Sequence, residues 1–133
     1  MAKHGTKRPL NHRSTKRRTS RRDEAHNRVD RLAAALAEVR AGARVSPRTS
    51  KLFASGAPKM AQKVIEEAAE AAIEAVRGDR AALIGESVDL IYNLSALWVE
   101  LGVTTDDIWS EMDRRETALG MAEKLAKSSP EGG

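Results

Sequence analysis

The sequence predicts an all-α fold, a bundle of four main helices completed by dimerisation. Three observations carry this. The chain is rich in Ala, Leu and Glu but holds only Phe53, Tyr92, Trp98 and Trp109 as aromatics, a composition of helices rather than of a sandwich. Its apolar residues recur every three to four positions. Glycines at 42, 78 and 102 punctuate segments of helical length.

Taken in order, Asp23 can cap a first helix to about Ala41, with Val29, Leu32, Leu36 and Val39 on one stripe. "ARVSPRTSKLFASGA" follows as an irregular connection, long for a bundle and therefore a candidate for function. Pro58 is tolerated in the first turn of a second helix that runs to Arg77 and stops at Gly78. Asp79 caps a third, Arg80 to Leu101, ended by Gly102. A fourth starts in "TTDDI" with Thr104 or Thr105 as cap, its two aspartates favourably near the positive helix end, and reaches about Leu119. The short turn at Gly78 and Asp79 forces the second and third helices to lie antiparallel.

The net charge of +4 hides two unlike parts. Residues 1–22 carry nine Lys/Arg and no acid, leaving fourteen basic against nineteen acidic residues beyond, a balance of −5. Residues 1–22 are therefore expected to be a disordered basic tail, 23–127 the folded domain and 128–133 a disordered end. The tail is either a polyanion-binding arm, with nucleic acid as its partner, or an extension without one; charge alone reads no base. His4, His12 and His26 lie in or beside it and read as solvated. Without cysteine there are no disulfides or thiolate metal sites, which suits a reducing compartment. No apolar run suffices to cross a bilayer and residues 1–22 lack an apolar leader core, so a cytoplasmic protein is expected.

The chemistry gathers in "KMAQKVIEEAAEAAIEAV", residues 59–76. At about 100° per residue with Glu66 at zero, Glu70, Glu74 and Glu67 lie at about 40°, 80° and 100°, opposite Ile65, Ala68, Ala69, Ala72 and Val76. Alone, that acid stripe reads as the solvated face of an amphipathic helix. The third helix alters the balance. "RAALIGESVDLIYNLSALWVEL" is apolar nearly all round, so it belongs inside its bundle or in an oligomer interface. Yet Glu86 and Asp89 sit in it one turn apart, with Asn93 a further turn along. Carboxylates there need hydrogen bonds, cationic partners or a metal. An antiparallel neighbour carrying Glu67 and Glu70 adds repulsion that a divalent ion would relieve, and an all-oxygen set favours Mg²⁺ first, Mn²⁺ second. Lys59 and Lys63 fall on the same face as the acids. Local pairing would occupy Lys63 with Glu66 or Glu67 but leaves Lys59 unexplained; a polyphosphate bridging lysines and metal accounts for both. Tyr92, Trp98 and Trp109 read as core or subunit interface, and Glu74 as solvated or supporting the other acids from behind.

The pattern E-E-x-x-E, fifteen residues, E-x-x-D resembles the MazG-like all-α nucleoside triphosphate pyrophosphohydrolase superfamily, and within it the phosphoribosyl-ATP pyrophosphohydrolase family. Four stretches carry the resemblance: "TSKLFASGAPKMAQKVIEEAAE" (49–70), "ESVDLIYNL" (86–94), "LGVTTDDIWSEMDRR" (101–115) and "GMAEK" (120–124). It covers roughly residues 30 to 125, with departures at Asn93, where the family often has His, and at Arg48, where an aromatic usually stands.

The resemblance implies Mg²⁺-dependent hydrolysis of phosphoribosyl-ATP to phosphoribosyl-AMP and pyrophosphate, the second step of histidine biosynthesis. It implies Glu67, Glu70, Glu86 and Asp89 as metal ligands, and Glu66 as binding a second ion or orienting the attacking water. Lys59 and Lys63 would contact phosphates, Gln62 and Asn93 would support them, and Thr49, Ser50 and Lys51 would meet the nucleotide or ribose phosphate. The expected partners are the nucleotide substrate and a second copy of the chain, with no membrane. Two other readings stand beside it: a house-cleaning hydrolase of other nucleoside triphosphates, and a non-catalytic helical module binding nucleic acid through its tail.

Overall fold

The computed structural model describes residues 21–128, with side chains for 28–120. Five helices follow one another: α1 (Arg21–Arg40), α2 (Pro47–Ala54), α3 (Ala57–Arg77), α4 (Arg80–Glu100) and α5 (Thr105–Ser128). Residues 1–20 of the basic tail, residues 129–133 and His4 and His12 lie outside the described residues, as does the side chain of His26, while Arg21 and Arg22, expected in the tail, and Ser128, expected in the C-terminal end, are helical. Among the described residues there is no strand, and no helix is long and apolar enough to cross a membrane.

The long connection is not irregular: it contains α2. Ser46 is extended, Pro47 occupies the first turn, where its missing N–H costs nothing, and Ser55 closes the helix on backbone carbonyls of its last turn. The Ser-Pro start and the Gly56 stop were its sequence signals. α5 runs to Ser128, past the expected stop near Leu119, because Gly120 is the one weak position in a run of good helix formers. Thr104 is its cap: the Thr104 N–H donates to Asp107 Oδ2 at 2.9 Å and the Asp107 N–H to Thr104 Oγ1 at 3.1 Å. The Thr104 backbone N–H first, and the Thr104 hydroxyl second, hold the Asp107 carboxyl below its ordinary value.

α3 and α4 form the expected antiparallel hairpin. Gly78 turns it at φ 75°, a conformation a side chain would strain, and Asp79 caps α4 by accepting from the Ala82 N–H at 3.0 Å. The core is small and drawn one residue from each of four helices: Leu36, Leu52, Met60 and Ala96, with Leu32, Phe53, Tyr92, Leu97 and Val99 packed around them. Val39 completes the buried stripe of α1 with Leu36. Trp109 Nε1 donates to Asp30 Oδ1 at 3.0 Å, tying α5 to α1, and Arg40 pairs with Glu100 at 2.9 Å, tying α1 to α4.

Two packing results run against amphipathicity. On α3 the buried positions are Met60 and Ala71, on the side that also carries half-buried Glu67 and Glu74, while Ile65, Ile73 and Val76 of the opposite side are exposed. On α4, expected inside its bundle or in an oligomer interface, Ile84, Val88 and Ile91 are exposed in the single chain. Among the described residues α1 and α3 are the helices that lie extensively against α4, and these three side chains stay exposed.

Candidate functional site

The site starts from the register of the hairpin. α3 presents Glu67 and Glu70 one turn apart; α4, running the other way, presents Glu86 at the same height. Their carboxylate oxygens lie within 4.8 Å of one another, a group able to hold a metal ion. Glu67 and Glu86 are half-buried and Glu70 is exposed. With all three ionised none can donate a proton to another, and Glu86 Oε2, out of reach of solvent, has no hydrogen-bond partner. A proton on Glu86 would let it bond Glu70; that contact first, then burial and the Glu67 charge, pushes the Glu86 carboxyl from 4.5 up to about 7. A cation would satisfy the same oxygens without the proton. The orphaned oxygen and the all-carboxylate donor set therefore fit a hard divalent ion.

Asp89 is exposed and stands apart from this group of three, one turn further along α4. It borders a shallow hollow with Ser46, Arg48, Thr49, Val88 and Tyr92. Glu66 is exposed and accepts a hydrogen bond from Gln62 Nε2 at 3.0 Å, so these two residues occupy each other on the outer side of α3. Glu74 pairs with Arg77 at 3.6 Å.

A second hollow, of about 280 Å³, opens beside Glu67 between α2, α3 and α4. Lys59 and Lys63 line it from α3, Arg48 and Lys51 from α2, and Tyr92 and Asn93 from α4. None of these four cations is paired with a carboxylate among the described residues. The local pairing of Lys63 with Glu66 or Glu67 does not form. Four unpaired cations around one cavity, with a carboxylate group at its edge, make a place for an anion that brings a metal with it.

Thr49 is buried and fully engaged: the Ser46 hydroxyl donates to its Oγ1 at 3.1 Å, and it shares a hydrogen bond of 2.6 Å with the Tyr92 hydroxyl. It fixes α2 against α4. Asn93 is buried at the cavity wall, its amide donating to the Asp89 carbonyl at 2.9 Å. Ser50 is exposed on α2. Tyr92, read from sequence as core or interface, is both half-buried against the core and a wall of the two hollows. Arg48 was not read as a site residue; once residues 47–54 are seen as helix, its i, i+3 spacing from Lys51 puts both on one face.

Comparison with known proteins agrees with this chemistry. A family model described as phosphoribosyl-ATP pyrophosphohydrolase matches residues 29–116. The chain is 51% identical over 100 residues to phosphoribosyl-ATP pyrophosphatase 2 of Rhodopseudomonas palustris, covering 75% of this chain and 76% of that one. It is 54% identical over 80 residues to the protein of the same name from Bradyrhizobium diazoefficiens, covering 60% of each. Against the phosphoribosyl-ATP pyrophosphatase of Azospirillum brasilense it is 45% identical over 101 residues, covering 76% of this chain and 91% of that one. No solved structure matches it.

Proposed function

The chain belongs to the phosphoribosyl-ATP pyrophosphohydrolase family, and from that premise we propose that it hydrolyses phosphoribosyl-ATP to phosphoribosyl-AMP and pyrophosphate. One water is consumed and the α–β phosphoanhydride breaks. The observation that carries the reading is the convergence of Glu67, Glu70 and Glu86 beside a hollow of unpaired cations. The three glutamates would hold Mg²⁺, or Mn²⁺ in its place, and Asp89, one turn further along α4, would be the fourth carboxylate of the set. Bound there, the ion supplies charge neutralisation for the phosphates and a lowered water pKa. Lys59 and Lys63 grip the triphosphate alongside it. Glu66 would orient the attacking water or bind a second ion, and Gln62, now hydrogen-bonded to it, would join Asn93 in polar contacts to substrate. Lys51 and the α2 segment around Thr49 and Ser50 form the wall met by the nucleotide.

The exposed aliphatics of α3 and α4 complete the picture. Ile84, Val88 and Ile91 recur at helical spacing on α4, and Ile65, Ile73 and Val76 are exposed on α3. A second copy of the chain covers them, giving a homodimer whose helices close the bundle. A nucleotide intermediate of amino-acid biosynthesis puts the work in the cytoplasm.

The test is pyrophosphate release in Mg²⁺ from phosphoribosyl-ATP against ATP and dATP. Preference for phosphoribosyl-ATP, together with rescue of a histidine auxotroph, is the expected result. Equal or better turnover of simple triphosphates would move the reading to a house-cleaning enzyme, and no release from any of them would remove the enzymatic reading.

A further inference from the structure

Phosphoribosyl-ATP carries two separate anionic groups: a triphosphate, and a lone phosphate on a second ribose across the base. The cations of this chain divide in a matching way. Lys59 and Lys63 lie on α3, two turns and one turn before Glu67, in the hollow beside the carboxylates. Arg48 lies on α2, and it is the cation that lines both hollows: the one reaching Glu67, and the one bordered by Ser46, Thr49, Asp89 and Tyr92, which holds no other cation. Arg48 is exposed and has no ion pair among the described residues, although Asp89 borders the same hollow. Its helix is fixed under it by the Thr49–Tyr92 hydrogen bond, so the guanidinium projects from a rigid base.

We propose that Arg48 is the specificity-determining residue that binds the lone ribose phosphate of the substrate, and so separates phosphoribosyl-ATP from an ordinary nucleoside triphosphate. A guanidinium fork offers a phosphate two parallel hydrogen bonds where a lysine offers a point charge. The two lysines of α3 line the hollow beside Glu67 and do not border the second hollow, where Arg48 stands. This inference rests on the functional reading above.

Steady-state kinetics of Arg48→Ala and Arg48→Lys in Mg²⁺, with phosphoribosyl-ATP and with ATP, test it. The ratio of kcat/KM for phosphoribosyl-ATP over ATP falls about tenfold in Arg48→Ala, carried by KM, and Arg48→Lys recovers part of it. A ratio unchanged within twofold overturns the inference, as does a loss confined to kcat. Unaltered thermal unfolding guards against a folding defect at this exposed position. If the wild-type protein does not hydrolyse phosphoribosyl-ATP, the functional reading fails by itself, and ribose 5-phosphate titrated by NMR still decides the site. Binding to wild type and not to Arg48→Ala upholds it; equal binding, or none to either, removes it.

Discussion

Glu86 concentrates the chemistry of the site in one side chain. Its folded-state value of about 7 stands above the ordinary 4.5, so the proton is held more tightly in the folded protein than in the unfolded chain. Stability from this group is complete below about pH 4.5 and is lost as pH rises through about 7. The metal-free protein, unfolded thermally in EDTA, is expected to melt at progressively lower temperature between pH 5 and pH 8. Saturating Mg²⁺ should raise the melting temperature more at pH 8 than at pH 5, because proton and metal compete for the same oxygens. Glu86→Gln removes the charge while keeping the shape; it should flatten that pH dependence in EDTA and lower turnover by more than about a hundredfold. A variant that keeps wild-type turnover would take Glu86 out of the machinery. Lys59→Ala is expected to act differently, raising KM for the nucleotide while leaving the melting response to Mg²⁺ unchanged.

At the scale of the helix, the site depends on a hairpin whose register cannot slip. Gly78 reverses the chain and Asp79 closes the first turn of α4. Asp79→Ala should lower stability by about 1 kcal/mol, the ordinary cost of losing an N-cap, measured by chemical denaturation. Met60, 1% exposed in the first turn of α3, is the larger anchor: it holds α3 against Leu36, Leu52 and Ala96 of three other helices. Met60→Ala should cost about 3 kcal/mol, within the usual range for emptying a buried Met site. Much of this level was legible in the sequence. The apolar stripe of α1, the glycine stops and the Asp79 cap set three helices, α1, α3 and α4, close to their observed limits, and the start of α5 but not its end at Ser128. The α2 helix was not legible as such, since eight residues give too few turns for periodicity to stand out; its Ser-Pro start and Gly stop were the available signals.

For the whole molecule, the deciding feature is how little the chain buries. The buried hydrophobics among the described residues are Leu36, Val39, Leu52, Met60, Ala71 and Ala96, two of them alanines, while aliphatics of α3 and α4 face outward. So small a core is marginal for a domain of this length. A dimer through α3 and α4 predicts that Val88→Asp or Ile91→Asp converts the protein to a monomer in sedimentation analysis and lowers its melting temperature. It also predicts that the wild-type melting temperature rises with protein concentration. A wild-type monomer, stable and independent of concentration, would remove the dimer.

Sequence by itself determined the helical class, the antiparallel hairpin and the acids placed to meet across it, because spacing along a helix and the length of a turn are local properties of the chain. It also placed Lys59 and Lys63 on the helical face of those acids, where they line the hollow beside Glu67. Only the tertiary structure decided which face of α3 turns inward. Amphipathicity favours burying Ile65 and Val76, whereas packing against α4 and the other helices selected the side of Met60 and Glu67. It likewise decided that Glu67, Glu70 and Glu86 meet while Asp89 stands apart, and that Arg48 joins two hollows. Those outcomes depend on contacts between residues far apart in the chain, and no periodicity within one helix encodes them.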